Sequence, residues 1–282
     1  MAEPTLVATA WTSAGDTSPM RSPATSPVSI GERIDAIAAA GYIGMGLIAD
    51  DIAAVRDSIG LGTLRDMIAD AGLTHVEIEL IERWWVPRGD AGNTYAVRDL
   101  LLDAAEVLEP GFIKIGSRTG PAFADLGDLV APLCDLADQA RQRGTRLAIE
   151  TMPFSGLATV PMGAELVSLT GHPGVGLLVD AWHVFRAGTS LDELQASLTA
   201  EMVYGVELDD AAATVVGTLF EDTVDHRLLC GEGTFDLPGL VAVLRDKGFD
   251  GPWGVEILST SFRALPVHEA LARAAETTLA IL

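Results

Sequence analysis

In the second half of the chain, short apolar runs end on carboxylates. RLAIE stops at Glu150 and GLLVD at Asp180, VYGVELDD carries Glu207 with Asp209 two residues on, and WGVE stops at Glu256. A carboxylate at the end of a dry strand is costly to bury unless something pairs with it. Four that meet at one place repel each other, so either some hold a proton or a cation sits among them. Oxygen ligands suit Mg²⁺ or Mn²⁺ better than Zn²⁺. Glu150, Asp180, Glu207 and Glu256 are therefore the expected ligands of a divalent metal, with Co²⁺ or Zn²⁺ as alternatives to Mn²⁺ or Mg²⁺. The plainer role for Asp180 by itself is to cap the segment that follows it.

Other residues stand near these by pattern. THVEIEL puts His75, Glu77 and Glu79 on one face of a strand, because side chains alternate. Lys114, in FIKI, is either an anion contact or the partner of a neighbouring glutamate. RWWVPRG, residues 83–89, sets Trp84 and Trp85 side by side in a loop. That pair is either a lid packed on a rim, an oligomer contact, or an apolar platform for a ligand.

The elements that position these residues alternate along the chain. Apolar strands are expected at 6–11, 42–48, 74–81, 112–115, 146–150, 175–180, 202–208 and 253–257. Helical patterns separate them at 30–40, 50–71 with a break near Gly60–Gly62, 95–108, 126–143, 163–170, 191–199 and 237–247, and 267–282 closes the chain. The strands are apolar on both faces, as in a parallel sheet covered by helices. Eight strand–helix units in 282 residues fit an α/β (β/α)8 TIM barrel in a single domain, residues 1–282. A doubly wound sheet is the alternative, but the first strand is not followed by a GxGxxG turn. In a barrel, strand C-termini share one rim, so the carboxylates of the last four strands meet there.

Bulk composition narrows the function classes. Hydrophobic residues make up 49% and mean hydropathy is +0.31, enough for a large core. The net charge of −22 argues against binding nucleic acid or an anionic membrane. Two cysteines, the absence of a signal-peptide pattern in MAEPTLVATAW and the absence of a long apolar span lead to the expectation of a cytoplasmic protein. TSPMRSPATSPVS, residues 17–29, is expected as a loop within the domain.

Three stretches resemble the xylose-isomerase-like barrel superfamily, which includes proteins described as sugar phosphate isomerases and epimerases. They are LAIETMP, GLLVDAWHVFRAG and, most specifically, HRLLCGEGTFDLPGLVAVLRDKGFDGPWGVEILS. The resemblance implies a metal-dependent isomerase or epimerase acting through an enediolate on a carbohydrate. A dehydratase or lyase using the same site on a keto-sugar, keto-inositol or keto-glycoside is the alternative, and a non-catalytic barrel subunit a further one. By position, Glu150, Asp180 and Glu256 match metal ligands, and Glu150 and Glu256 the pair that moves protons. His183 and Arg227 match substrate contacts, and His75, Glu79, Trp84 and Lys114 are added as candidates for substrate binding. One departure stands out: Glu207 occupies the seventh-strand position where the family presents a histidine ligand. The resemblance also implies a homodimer or homotetramer.

Overall fold

The computed structural model describes residues 3–19, 21–22, 24–90, 94–117 and 119–282. Eight parallel strands close into a barrel in sequence order. They are β1 (Leu6–Ala8), β2 (Gly44–Ile48), β3 (His75–Ile81), β4 (Phe112–Ile115), β5 (Leu147–Glu150), β6 (Val175–Asp180), β7 (Val203–Leu208) and β8 (Trp253–Val255). Leu6 pairs with Trp253 to close the ring between β1 and β8. The connecting helices bury their apolar stripes on the outside of the strands, joining one continuous core.

The inside of the barrel is built in two layers, and the second creates the site. Phe112, Ala148 and Leu178 form a small apolar cluster of their own within the barrel. Gly205 faces it, and a Cβ there would lie 2.7 Å from the Phe112 ring, so glycine makes the space that the ring fills. Two residues further along each of these strands, on the same inward face, come Lys114, Glu150, Asp180 and Glu207. The apolar plug thus seals the barrel about 7 Å beneath an ionic layer, given the rise of some 3.3 Å per residue.

Most expected elements form with small shifts at their ends. The pattern at 50–71 divides into helices Ala49–Ser58 and Leu61–Asp70, with Gly60 between them at φ +82°. The first strand stops at Ala8, because the chain turns into the short helix Ala10–Ser13. Thr9 and Thr12 tie that turn to the rim by donating to the Val255 carbonyl at 2.9 and 2.6 Å. Two short rim helices had no counterpart in the periodicity: Ala181–Arg186 and Leu219–Asp225. Both are started by side-chain caps, Asp180 and Thr218. The Pro/Ser segment at 17–29 is irregular, though residues 20 and 23 lie outside the described residues. No helix among the described residues is long and apolar enough to cross a membrane.

Candidate active site

The C-terminal mouth of the barrel holds a cavity of about 360 Å³. Glu79, Lys114, Glu150, His183, Arg227 and Glu256 all line it. All six are buried as residues, so the charges meet with little water to screen them.

The carboxylates converge as the strand pattern requires. One oxygen each from Glu150, Asp180, Glu207 and Glu256 lies within 4.8 Å of the others, and Glu150, Asp180 and His183 form an overlapping trio. The group waiting for Asp180, however, is a pair of protein donors. Its Oδ1 accepts the His183 backbone N–H at 2.8 Å, and its Oδ2 accepts Nη1 of Arg227 at 2.7 Å. Asp180 thus caps the helix Ala181–Arg186 and also belongs to the cluster.

Two cations organise the acids. Lys114 Nζ, 2% exposed as a residue, lies 2.7 Å from Glu207 Oε1, 2.9 Å from Glu79 Oε2, 3.3 Å from Glu256 Oε1 and 3.7 Å from Glu150 Oε1. Arg227 Nη1 also meets Asp209 and, at 3.1 Å, Glu256 Oε2. Its Nε and Nη2 donate to Thr223. Six carboxylates (Glu79, Glu150, Asp180, Glu207, Asp209, Glu256) therefore face two cations, a formal excess of four negative charges. Glu207 Oε2 and Asp209 Oδ1 are buried with no hydrogen-bond partner among the described residues.

That imbalance displaces the proton affinities. Burial pushes Glu207 and Asp209 well above the usual carboxylate range, reinforced by neighbouring acids and opposed by Lys114 and Arg227 respectively. Burial raises Glu256 and also Glu79, the latter to about 7. Burial also works to raise Glu150, but Lys114 and His183 outweigh it and its pKa falls. Asp180 falls too, since Arg227 and the His183 contacts overcome burial.

The donor chemistry fits a divalent cation. The four convergent groups are hard oxygen donors, one buried oxygen of Glu207 has no hydrogen-bond partner among the described residues, and the excess charge is negative. Lys114 and Arg227 already neutralise part of that charge, so a metal would join resident cations rather than replace a vacancy in charge.

The remaining expected residues separate into two groups. His183 is a buried member of the cavity wall, with Nε2 3.6 Å from Glu150 Oε1 and Nδ1 unpartnered among the described residues. Glu79, Lys114 and Arg227 also line the cavity as expected. His75 and Trp84, expected to bind substrate, are not among the residues lining it. His75 shares an inward face with Glu79 but begins β3, about 13 Å lower by strand rise. It bonds Glu77 at 3.0 Å instead. Trp84 turns under the rim, 2% exposed, and donates its indole N–H to the Gly116 carbonyl at 2.8 Å. The burial of an indole with its N–H satisfied makes it a packing residue of the loop.

Sequence reasoning missed several supports. Asp210, second of the pair in VELDD, accepts the backbone N–H groups of Gly231, Gly233 and Phe235 and so fixes the GEG turn. Asp222 binds the Trp182 indole, Arg186 and the Val216 N–H. The doubled aspartate was a visible signal for the first, whereas only the short helix Leu219–Asp225 brings in the second.

Comparison with known proteins agrees with the barrel fold. The family model described as xylose isomerase-like TIM barrel matches residues 34–280, and the chain belongs to that family. An inosose isomerase of Halalkalibacterium halodurans is 26% identical over 151 residues, covering 53% of this chain and 52% of that protein. A 3-dehydroshikimate dehydratase of Pseudomonas aeruginosa is 27% identical over 247 residues, covering 84% of this chain and 37% of that protein. The chain thus spans about half the length of the first relative and just over a third of the second. A solved structure of the IOLI protein with a bound zinc atom superposes with TM-score 0.81 at 18% identity, covering 98% of this chain and 97% of that one.

Proposed function

We propose that the protein is a sugar-derivative isomerase or epimerase that moves a proton on the carbon next to a carbonyl. The carrying observation is the pair Glu150 and Glu256, which share Lys114 and present oxygens within 4.8 Å of each other on the cavity wall. Their proton affinities are pushed apart, Glu150 down and Glu256 up, as acid and base roles require. Glu150, held ionised and oriented by His183, takes the proton from carbon. Glu256, which keeps its proton more strongly, returns one from the other side. Lys114 and Arg227 hold both carboxyls in place at 3.7, 3.3 and 3.1 Å. His183, on the cavity wall, contacts a substrate hydroxyl.

Glu150, Asp180, Glu207 and Glu256 would hold a divalent ion, Mn²⁺ or Mg²⁺ before Co²⁺ or Zn²⁺, which would supply a Lewis acid to the negative charge developing on the substrate oxygen. The substrate is a small carbohydrate carbonyl compound. The inosose isomerase relative supports the isomerase reading. Loss of a β-substituent from the same enediolate is the second reading, and the dehydratase that matches 84% of this chain favours it.

The test is solvent deuterium uptake into keto-sugars and inososes, followed by NMR. The wild-type protein should exchange the α-proton, and Glu150→Gln and Glu256→Gln should each lower the rate by about 10²–10⁴-fold. Exchange that persists in both variants overturns the assigned roles. Appearance of an unsaturated product would select the lyase reading.

A further inference from the structure

The cavity has two chemically distinct zones. Its floor is the ionic layer already described. Around the entrance, Trp11, Ile48, Leu80, Phe154, Phe220 and Leu258 make an apolar collar. Phe154 and Phe220 meet edge to face at 5.6 Å, and Phe154 stands 6.1 Å from the His183 ring, so the collar begins directly above the floor. A volume of about 360 Å³ leaves space beyond one polyol ring, and the collar would face only water if such a ring bound by itself.

The charges point the same way. Among the described residues, Asp50 and Glu82 are the ionisable ones lining the outer part of the cavity. Lys114 and Arg227 are its basic lining residues among those described, and both are engaged by carboxylates. A phosphate or carboxylate group would enter a site with excess negative charge and find no uncommitted cation among the described lining residues.

We propose that the substrate is an uncharged polyhydroxy carbonyl ring bearing an apolar, aromatic-sized substituent, as in an aryl glycoside. The ring lies on the floor among Glu79, Glu150, His183 and Glu256. The substituent lies in the collar against Phe154 and Phe220. This deepens the proton-transfer reading and rests on it for the position of the carbonyl.

Binding of unreactive probes separates the two ideas, because glucose, glucose 6-phosphate and phenyl β-D-glucoside lack the carbonyl that proton abstraction needs. Calorimetry on the full chain should find phenyl glucoside bound about ten- to a hundredfold more tightly than glucose, the gain expected from burying a phenyl ring. Glucose 6-phosphate should bind no more tightly than glucose. Phe220→Ala should bring phenyl glucoside close to glucose while leaving glucose unchanged, and Phe220→Leu should restore part of the gain. A melting curve for each variant checks that it is folded. Equal affinity for glucose and phenyl glucoside, tighter binding of the phosphate, or no binding of any of the three overturns the substrate class. Failure of solvent exchange with keto-sugars, alongside the expected binding order, overturns the proton-transfer reading instead.

Discussion

Of two buried ionic centres near the barrel mouth, one is balanced and the other is not. Near the ends of β1 and β2, Arg33 is 1% exposed and pairs with Asp51. Ser13 accepts from its Nε at 3.2 Å, the Ala10 carbonyl from its Nη2 at 3.2 Å, and the Ser26 N–H completes Asp51 at 2.8 Å. One positive charge meets one negative charge. Around Lys114 and Arg227, two positive charges meet six carboxylates, and oxygens of Glu207 and Asp209 have no donor among the described residues. A buried pair used for structure is neutral and saturated, because any surplus costs stability with no return. A surplus of buried carboxylates is relieved by protons held on the acids or by a cation from outside the chain.

The largest expected effect breaks the balanced centre. Arg33→Met leaves Asp51 buried and unpaired and should cost about 3–5 kcal/mol in urea unfolding, whether or not a divalent cation is present. A loss that disappears on adding Mn²⁺ would mean the two centres do not differ as described.

Lys114→Met should cost about 3 kcal/mol in the presence of chelator, because it removes the cation shared by four carboxylates. Here Mn²⁺ should restore most of the loss, by the linkage of binding to folding. Thermal melts with EDTA and with Mn²⁺ measure this, and equal losses in both would count against a cation site in the cluster.

A smaller effect follows from pH. Glu79 keeps its proton in the folded protein up to about 7, whereas in the unfolded chain it releases it near 4.5. Between those values the folded state binds the extra proton. The contribution is therefore present in full at the acid end and is lost as pH rises through about 7, on the order of 1–3 kcal/mol. Glu150 and Asp180, whose pKa values are lowered, act with the opposite sign and lose their contribution as the solution is acidified. Metal-free protein should thus melt lower at pH 8 than at pH 6, and Glu79→Gln should flatten that slope. An unchanged slope would show that another group carries it.

The smallest expected change is a gain. Glu207→Gln retains an acceptor for Lys114 and removes a surplus charge, so with EDTA it should stabilise the protein by about 1 kcal/mol. With Mn²⁺ the gain should shrink or reverse, and a gain of the same size under both conditions would exclude Glu207 as a ligand.

The barrel was legible because its cause is local. Runs such as GLLVD and RLAIE are apolar on both faces and are separated by helical periods, a pattern that leaves few arrangements. Membership of one rim follows from strand direction, which is why Glu150, Asp180, Glu207 and Glu256 were recognisable as a group. Lys114 was readable as a partner for glutamate, though not as the partner of four at once. His75 shows that alternation reports the face of a strand and not the height within a barrel. For Trp84 a loop sequence does not state whether an indole turns outward or under the rim, and the structure turns it under.

The amino-acid order by itself determined the eight-fold alternation and the delivery of acids to strand ends, since both depend on residues near each other in the chain. Tertiary structure alone decided which charges meet. Arg227 reaches Asp180 across 47 positions and Lys114 reaches Glu256 across 142, and such contacts depend on how far each strand is raised in the closed ring. Electrostatic energy varies with separations of a few ångströms, which closure of the barrel sets and no local pattern encodes.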